Sequence, residues 1–303
     1  MENLTIESIN RMVTTDPEAF VAECEKRYRE KISLVAKEVA SRDGRELIML
    51  AGPSSSGKTT TAKILKDMLH KQGRSAKVVS LDDFYLDQDV SYTFEDGTTD
   101  FETVKALDVE CIDRCLSELM NQGETMMPRF SFHTRRRDGY EKISCDKDEI
   151  IIVEGLHALN PAITDPLEDV RMKKLYVSVS SRISENGRMF LNKRNLRFIR
   201  RLIRDYHFRN TDVEYTFYLW KGVRMGEDRY LFPFSDRADV RIDSIHPYEI
   251  CLFKNEALKL LNKVKDDSIY YERAAELKEK LAKLSELDKT FIPIDSLMRD
   301  LIG

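Results

Sequence analysis

Eight consecutive residues, Gly52-Pro53-Ser54-Ser55-Ser56-Gly57-Lys58-Thr59, fill every fixed position of the pattern G-x-x-x-x-G-K-[ST]. Glycines at those positions let the backbone curl so that its N–H groups face phosphate oxygens. Lys58 supplies a point charge to the β/γ-phosphates, and the Thr59 hydroxyl is a ligand for Mg²⁺. Gly52, Ser54, Ser55, Ser56, Gly57, Lys58, Thr59 and Thr60 are therefore the expected triphosphate-binding residues. A Gly/Ser turn carrying a chance lysine is the disfavoured alternative, because the motif lies between a buried strand and a helix. Two carboxylates stand at strand ends further along. Glu154 follows Ile150-Ile151-Ile152-Val153 and suits the water shell of a metal; it reads otherwise as a solvated strand end. Asp82 is the first residue beyond the run Ala76 to Leu81. A carboxylate there can orient an alcohol and take its proton during phosphoryl transfer. By pattern alone it reads equally as a turn residue. Its neighbour Asp83 reads as a cap or a solvent-facing group.

Elements must deliver these groups to one place. Leu47 to Ala51 is a short apolar run, as a strand buried on both faces requires. The glycine loop follows, then a helix from Lys58 to Gln72 closed by Gly73, then the strand Ala76 to Leu81. Strand, loop, helix, strand reads as a parallel βαβ unit, whose ligands bind at the carboxyl edge of the sheet. Before it, Asp16 and Pro17 start a helix on which Phe20, Cys24, Tyr28, Val35 and Val39 recur at helical spacing. After it, Asp108 caps a helix to about Asn121. Asp138-Gly139 is the expected turn of a hairpin formed by Arg129 to Phe132 and Glu141 to Ser144. Glu149 to Val153, Lys174 to Val179 and Ala238 to Ile242 complete the strands, and Pro247 to Ser285 reads as amphipathic helices. The expected fold is α/β, a doubly wound and mostly parallel sheet. Its expected parts are a helical extension over 1–45, a central domain over 46–245 and a second helical extension over 246–303.

Composition narrows the function. Lys+Arg at 49 against Asp+Glu at 53 gives −4 over 303 residues, which excludes a globally basic nucleic-acid binder. No apolar run approaches the ~20 residues of a membrane span, and the first residues lack a signal-peptide pattern. Five scattered cysteines without a Cys-x-x-Cys read as free thiols of a cytoplasmic protein. A GTPase would carry Asn-Lys-x-Asp; Asn262-Lys263-Val264-Lys265 lacks the aspartate.

The ordered set of motifs is more specific than any one. The phosphate loop, Asp82-Asp83-Phe84-Tyr85, Asp100-Phe101-Glu102 and Pro128-Arg129-Phe130-Ser131-Phe132 stand in that order. Val153-Glu154-Gly155 and the run from Arg201 to Arg209 follow. Over about residues 46 to 245 the chain resembles the uridine kinase/phosphoribulokinase family. The resemblance implies ATP and Mg²⁺, with Thr59 and Glu154 on the metal side and Asp82 as the base toward a nucleoside 5′-hydroxyl. It implies Tyr85, Phe101, Phe130 and Phe132 around the nucleoside, Glu102 on the ribose hydroxyls and Arg201 nearby. Uridine/cytidine kinases of the family carry a tyrosine and a histidine on the hairpin, where this chain has Phe130 and Arg135. A donor-only arginine suits O4 of uridine better than N4 of cytidine. The tail, residues 292–303, resembles the ending of bacterial nucleoside kinases of this group. In many of those a threonyl-tRNA-synthetase-like region comes first, and it is not evident here.

Nine Lys/Arg lie between Arg182 and Arg209 against Glu185 and Asp205. Such a run reads as a solvated face, as a nucleic-acid stripe, or as the lid of a phosphotransferase. By resemblance Arg204 and Arg209 are lid arginines, and a further one is replaced near Thr211. The reading that unites these residues is an ATP-dependent kinase of a ribonucleoside, uridine foremost. Its partner is a small molecule rather than nucleic acid or membrane, and a homo-oligomer is compatible with it. Other alcohols of the superfamily, as for phosphoribulokinase or pantothenate kinase, are the alternative acceptors. An ATP-binding regulatory or RNA-associated protein is the alternative class.

Overall fold

The computed structural model describes residues 4–87, 92–131 and 133–303. Among them five parallel strands make the central sheet: β1 (Glu46–Ala51), β2 (Ala76–Ser80), β5 (Ile150–Glu154), β6 (Met172–Ser178) and β9 (Val240–Asp243). Their order across the sheet is β2-β5-β1-β6-β9. Register ties the ends together. Ser80 and Leu50 both pair with Glu154, and Leu50 pairs with Leu175, so one transverse row closes the sheet at its carboxyl edge. The phosphate loop and Asp82 begin two residues beyond that row. Every residue of β1 and β5 is buried, as expected for strands covered on both faces.

Alternation along the strands splits the core in two. Ile48, Leu50, Ile150, Ile152, Leu175 and Val177 face the first layer of helices. That layer holds α1 (Ile6–Thr15), α2 (Pro17–Ala40), α3 (Lys58–Lys71), α6 (Lys193–Arg209), α8 (Glu249–Leu261) and α9 (Tyr271–Ala282). Leu47, Met49, Ile151 and Val153 face the other layer, which includes α4 (Val109–Asn121) and is closed by the hairpin β3 (Glu124–Ser131)/β4 (Arg136–Ser144). The one-turn helix α5 (Pro161–Thr164), the small hairpin β7 (Ile183–Glu185)/β8 (Arg188–Leu191), α7 (Val213–Tyr230) and α10 (Arg299–Ile302) complete the chain. None of the described helices is long and apolar enough to cross a membrane.

Asp16 caps α2 as its sequence predicts, its side chain accepting from the Ala19 amide at 3.1 Å. A separate helix, α1, precedes it, with Thr5 at its N-cap. The hairpin corrects one expectation. Asp138-Gly139 is not its turn but lies inside β4, where Pro128 pairs with Tyr140 and Phe130 with Arg137. Two residues thus oppose one, and Gly139 takes the left-handed backbone (φ 86°) that such a bulge accommodates. The Asp-Gly signal marks a β-bulge, and the chain reverses near Arg135 (φ 57°) instead. The basic run is also placed differently: β7 and β8 separate β6 from α6, and much of α6 is buried.

Candidate active site

The loop between β1 and α3 folds around its own backbone. The Ser56 amide donates to the Pro53 carbonyl at 3.2 Å, and Ser55 and Gly57 both adopt left-handed backbone (φ 58° and 91°). Gly57 is required twice over, because a Cβ there would come 2.6 Å from Leu297 Cδ1. The first bond of α3 runs from the Thr61 amide to the Gly57 carbonyl at 2.8 Å. The amides of Lys58, Thr59 and Thr60 therefore have no intrahelical acceptor, and they meet an anion with the positive end of the helix dipole. The hydroxyls of Ser55 and Ser56 are buried without hydrogen-bond partners among the described residues. Orphaned donors around a left-handed loop fit a polyphosphate.

Next to the loop, Thr59 donates to Glu154 Oε1 at 3.0 Å, and Ser80 approaches the same oxygen at 3.4 Å. Burial raises the Glu154 carboxyl above its ordinary range; Lys58 pulls it down and Asp82 pushes it up. A hydroxyl beside a buried carboxylate fits a divalent cation that also binds phosphate oxygens, as Mg²⁺ does.

Asp82 is exposed in the 3₁₀ turn that follows β2, its amide donating to Ser80 Oγ at 3.3 Å. Asp83 is half-buried beneath the β3/β4 hairpin, and desolvation raises its carboxyl. It is neither the cap nor the solvent-facing group its sequence suggests. Glu102 is the most perturbed carboxyl at this edge. Burial, then the like charge of Glu227, push it up to about 7 against the pull of Arg201 and Lys58. Asp82 and Lys58 thus act on both Glu102 and Glu154, which places the four charges in one field.

Glu102 lies against α7, where a side chain on Gly226 would collide with its Cβ. The Glu102 carbonyl accepts from His157 Nε2 at 3.0 Å, which fixes that tautomer. Burial holds His157 down to about 4, so its ring is neutral. Around Glu102, Phe101 is partly exposed, Tyr85 packs on Phe130 with ring centroids 5.5 Å apart, and Tyr230 donates to Asp100 at 2.6 Å. Phe132 lies outside the described residues. Arg135 is exposed in the hairpin turn, whereas Arg137 reaches back to Asp108 at 2.7 Å.

The basic helix is not a solvated face at the loop. Arg197, Arg200 and Arg201 are buried. Arg197 donates to the Ser54 carbonyl at 2.9 Å, Arg200 to the Ser55 carbonyl at 3.3 Å, and Arg201 to the Ser54 hydroxyl at 2.8 Å. Glu227 of α7 accepts from the Ser54 amide at 2.8 Å and pairs with Arg197; Glu249 of α8 pairs with Arg200. Carbonyls and amide on the outer side of the loop are thereby satisfied, and the amides of Lys58, Thr59 and Thr60 are left for a ligand. Beyond, Arg201, Arg204 and Arg209 converge on the buried carboxylate of Asp205, at 3.0, 2.7 and 3.5 Å. Burial lowers Arg204 to about 10, which keeps it charged at neutral pH. Three cations held by one anion leave an excess of positive charge. Within the basic run Arg197, Arg200 and Arg201 are buried, whereas Arg182, Arg188, Lys193 and Arg209 are exposed.

Sequence reasoning missed Glu227, Glu249, His157 and Gly226, which belong to no motif, and the loop contacts of Arg197 and Arg200. The recurrence of arginine at 197, 201 and 204, on one face of a helix, was the available signal.

A model of the Phosphoribulokinase / Uridine kinase family matches residues 47–250. The uridine kinases of Staphylococcus epidermidis and Macrococcus caseolyticus are 30% and 31% identical over 201 and 202 residues. Each match spans 65% of this chain and 86% of the relative. A solved structure described as a possible uridine kinase from Bacillus stearothermophilus gives a TM-score of 0.48 at 19% identity, covering 71% of this chain and 98% of that one.

Proposed function

Because this chain belongs to the phosphoribulokinase/uridine kinase family, and so among ATP-dependent kinases with alcohol acceptors, we propose that it phosphorylates the 5′-hydroxyl of a ribonucleoside, uridine foremost. One observation carries the reading: the phosphate cradle, Asp82, Glu102 and Glu154 share one sheet edge and one electrostatic field.

The residues divide the work by chemistry. The free amides of α3 and Lys58 hold the triphosphate of ATP, with Ser54, Ser55, Ser56, Thr59 and Thr60 around it. Thr59 and Glu154 would hold Mg²⁺, which when bound would neutralise charge on the phosphate oxygens. Asp82, exposed and adjacent, orients the acceptor hydroxyl and takes its proton. Glu102 accepts from vicinal ribose hydroxyls, a task that requires its ionised form. Tyr85, Phe101 and Phe130 supply apolar faces for the nucleoside. Arg204 and Arg209 stabilise charge on the transferring group, and Arg201 links the loop to that cluster.

A smaller alcohol is the second reading. It is favoured by Arg135, the side chain expected to read the pyrimidine edge, which stands exposed in the hairpin turn. A coupled ADP-release screen with Mg-ATP decides between them, using uridine, cytidine, pantothenate and sugar phosphates. Uridine-dependent ADP release, abolished in Asp82→Asn, is the expected result. Release stimulated only by a non-nucleoside refutes the first reading. Asp82→Asn should retain ATP binding and lose transfer by roughly 10²–10⁴-fold; near-normal turnover in that variant would remove Asp82 from its role.

A further inference from the structure

The C-terminal run, residues 292–303, has no part in the chemistry above, yet two of its side chains rest on the phosphate loop. Leu297 is buried in the space that a side chain on Gly57 would need. Three residues on, Asp300 accepts a hydrogen bond from the Thr60 hydroxyl. The tail behind Asp300 is firmly seated. Met298 is fully buried, Ser296 donates to Glu25 of α2, and Arg299 donates to the Ile292 carbonyl at 2.7 Å. Asp300 itself is exposed, so its carboxylate can rotate away without disturbing that packing.

Thr60 follows the metal-side Thr59 and lies in the first turn of α3, among the amides with no intrahelical acceptor. In a cradle of this pattern such groups serve the α/β-phosphates. A hydroxyl has one proton to give. While Asp300 takes it, Thr60 offers a phosphate oxygen only lone pairs, and a carboxylate stands at the rim of an anion site.

We propose that Asp300 is a donor-site residue: it holds the Thr60 hydroxyl while the cradle is empty, yields it to a nucleoside triphosphate, and thereby weakens triphosphate affinity. The inference rests on the nucleotide reading of the loop and not on the identity of the acceptor. It is tested by titrating the full chain with Mg-ATP, without any acceptor, using calorimetry on wild type, Asp300→Asn and Asp300→Ala. Both variants should bind about five- to tenfold more tightly, the size of one screened like-charge contact. For Asp300→Asn the gain should shrink at about 0.5 M salt, because an exposed charge is screened there. Unchanged or weaker binding by both variants overturns the proposal. So does a gain in Asp300→Asn that salt leaves intact, since that assigns the effect to packing. If wild type binds no nucleoside triphosphate at all, the loop reading fails first and the proposal falls with it.

Discussion

Replacing Glu102 by glutamine should make the protein more stable at pH 8 and leave it nearly unchanged at pH 4. The Glu102 carboxyl is lifted from an ordinary value of 4.5 to about 7 by burial and by Glu227. The folded chain therefore binds this proton more tightly than the unfolded chain. Stability from this group is fully present below about 4.5 and declines as pH rises through about 7. Moving the carboxyl from 4.5 to about 7 corresponds to roughly 3 kcal/mol, and partial access to water reduces this to about 2 kcal/mol. Glutamine mimics the protonated form, so it should recover that amount where wild type is ionised. The assay is urea denaturation at pH 4, 6 and 8, followed by fluorescence of the single tryptophan, Trp220, which sits 5.4 Å from the Arg197 guanidinium. The difference between variant and wild type must grow with pH. A difference that is constant across the three pH values, or of opposite sign at pH 8, refutes the account of Glu102. The same substitution should weaken acceptor use, since an amide replaces the carboxylate that accepts from two hydroxyls.

The other outcomes are more local. Lys58→Ala should weaken Mg-ATP affinity at least tenfold in an acceptor-free titration, with melting temperature little changed; equal affinity removes the lysine from the cradle. Glu25 is buried, which opposes its charge. His246 3.6 Å away and hydrogen bonds from Ser296 and Tyr248 nevertheless hold its carboxyl down to about 2. Its contribution is present above about pH 4.5 and lost as pH falls toward 2. Glu25→Gln should therefore cost about 3 kcal/mol at pH 7 and much less at pH 3; equal losses at both, by denaturant unfolding, contradict the network.

Much of this molecule was legible in its sequence, because the cradle and the strand-end carboxylates are local in the chain. Gly52 to Thr59 is one loop, and Asp82 and Glu154 follow apolar runs whose length fixes where they emerge. The groups that grip the loop from outside were not legible. Ser54 meets Arg197 and Glu227 across separations of 143 and 173 residues, and no motif encodes such a pairing. Charge counting left the basic run open between lid, stripe and solvated face, because composition cannot say that Arg200 is buried against Glu249. Asp138-Gly139 misled for a different reason: the same left-handed glycine serves a bulge as well as a turn.

Both ends of the chain are fastened to the helix that opens on the cradle. Tyr28 of α2 shares a hydrogen bond of 2.6 Å with Thr61, and Leu297 fills the notch over Gly57. A minimal version trimmed to the residues shared with shorter relatives would strip α3 of both flanking supports. Catalytic failure of such a truncate would report a sagging scaffold rather than a missing reactive group.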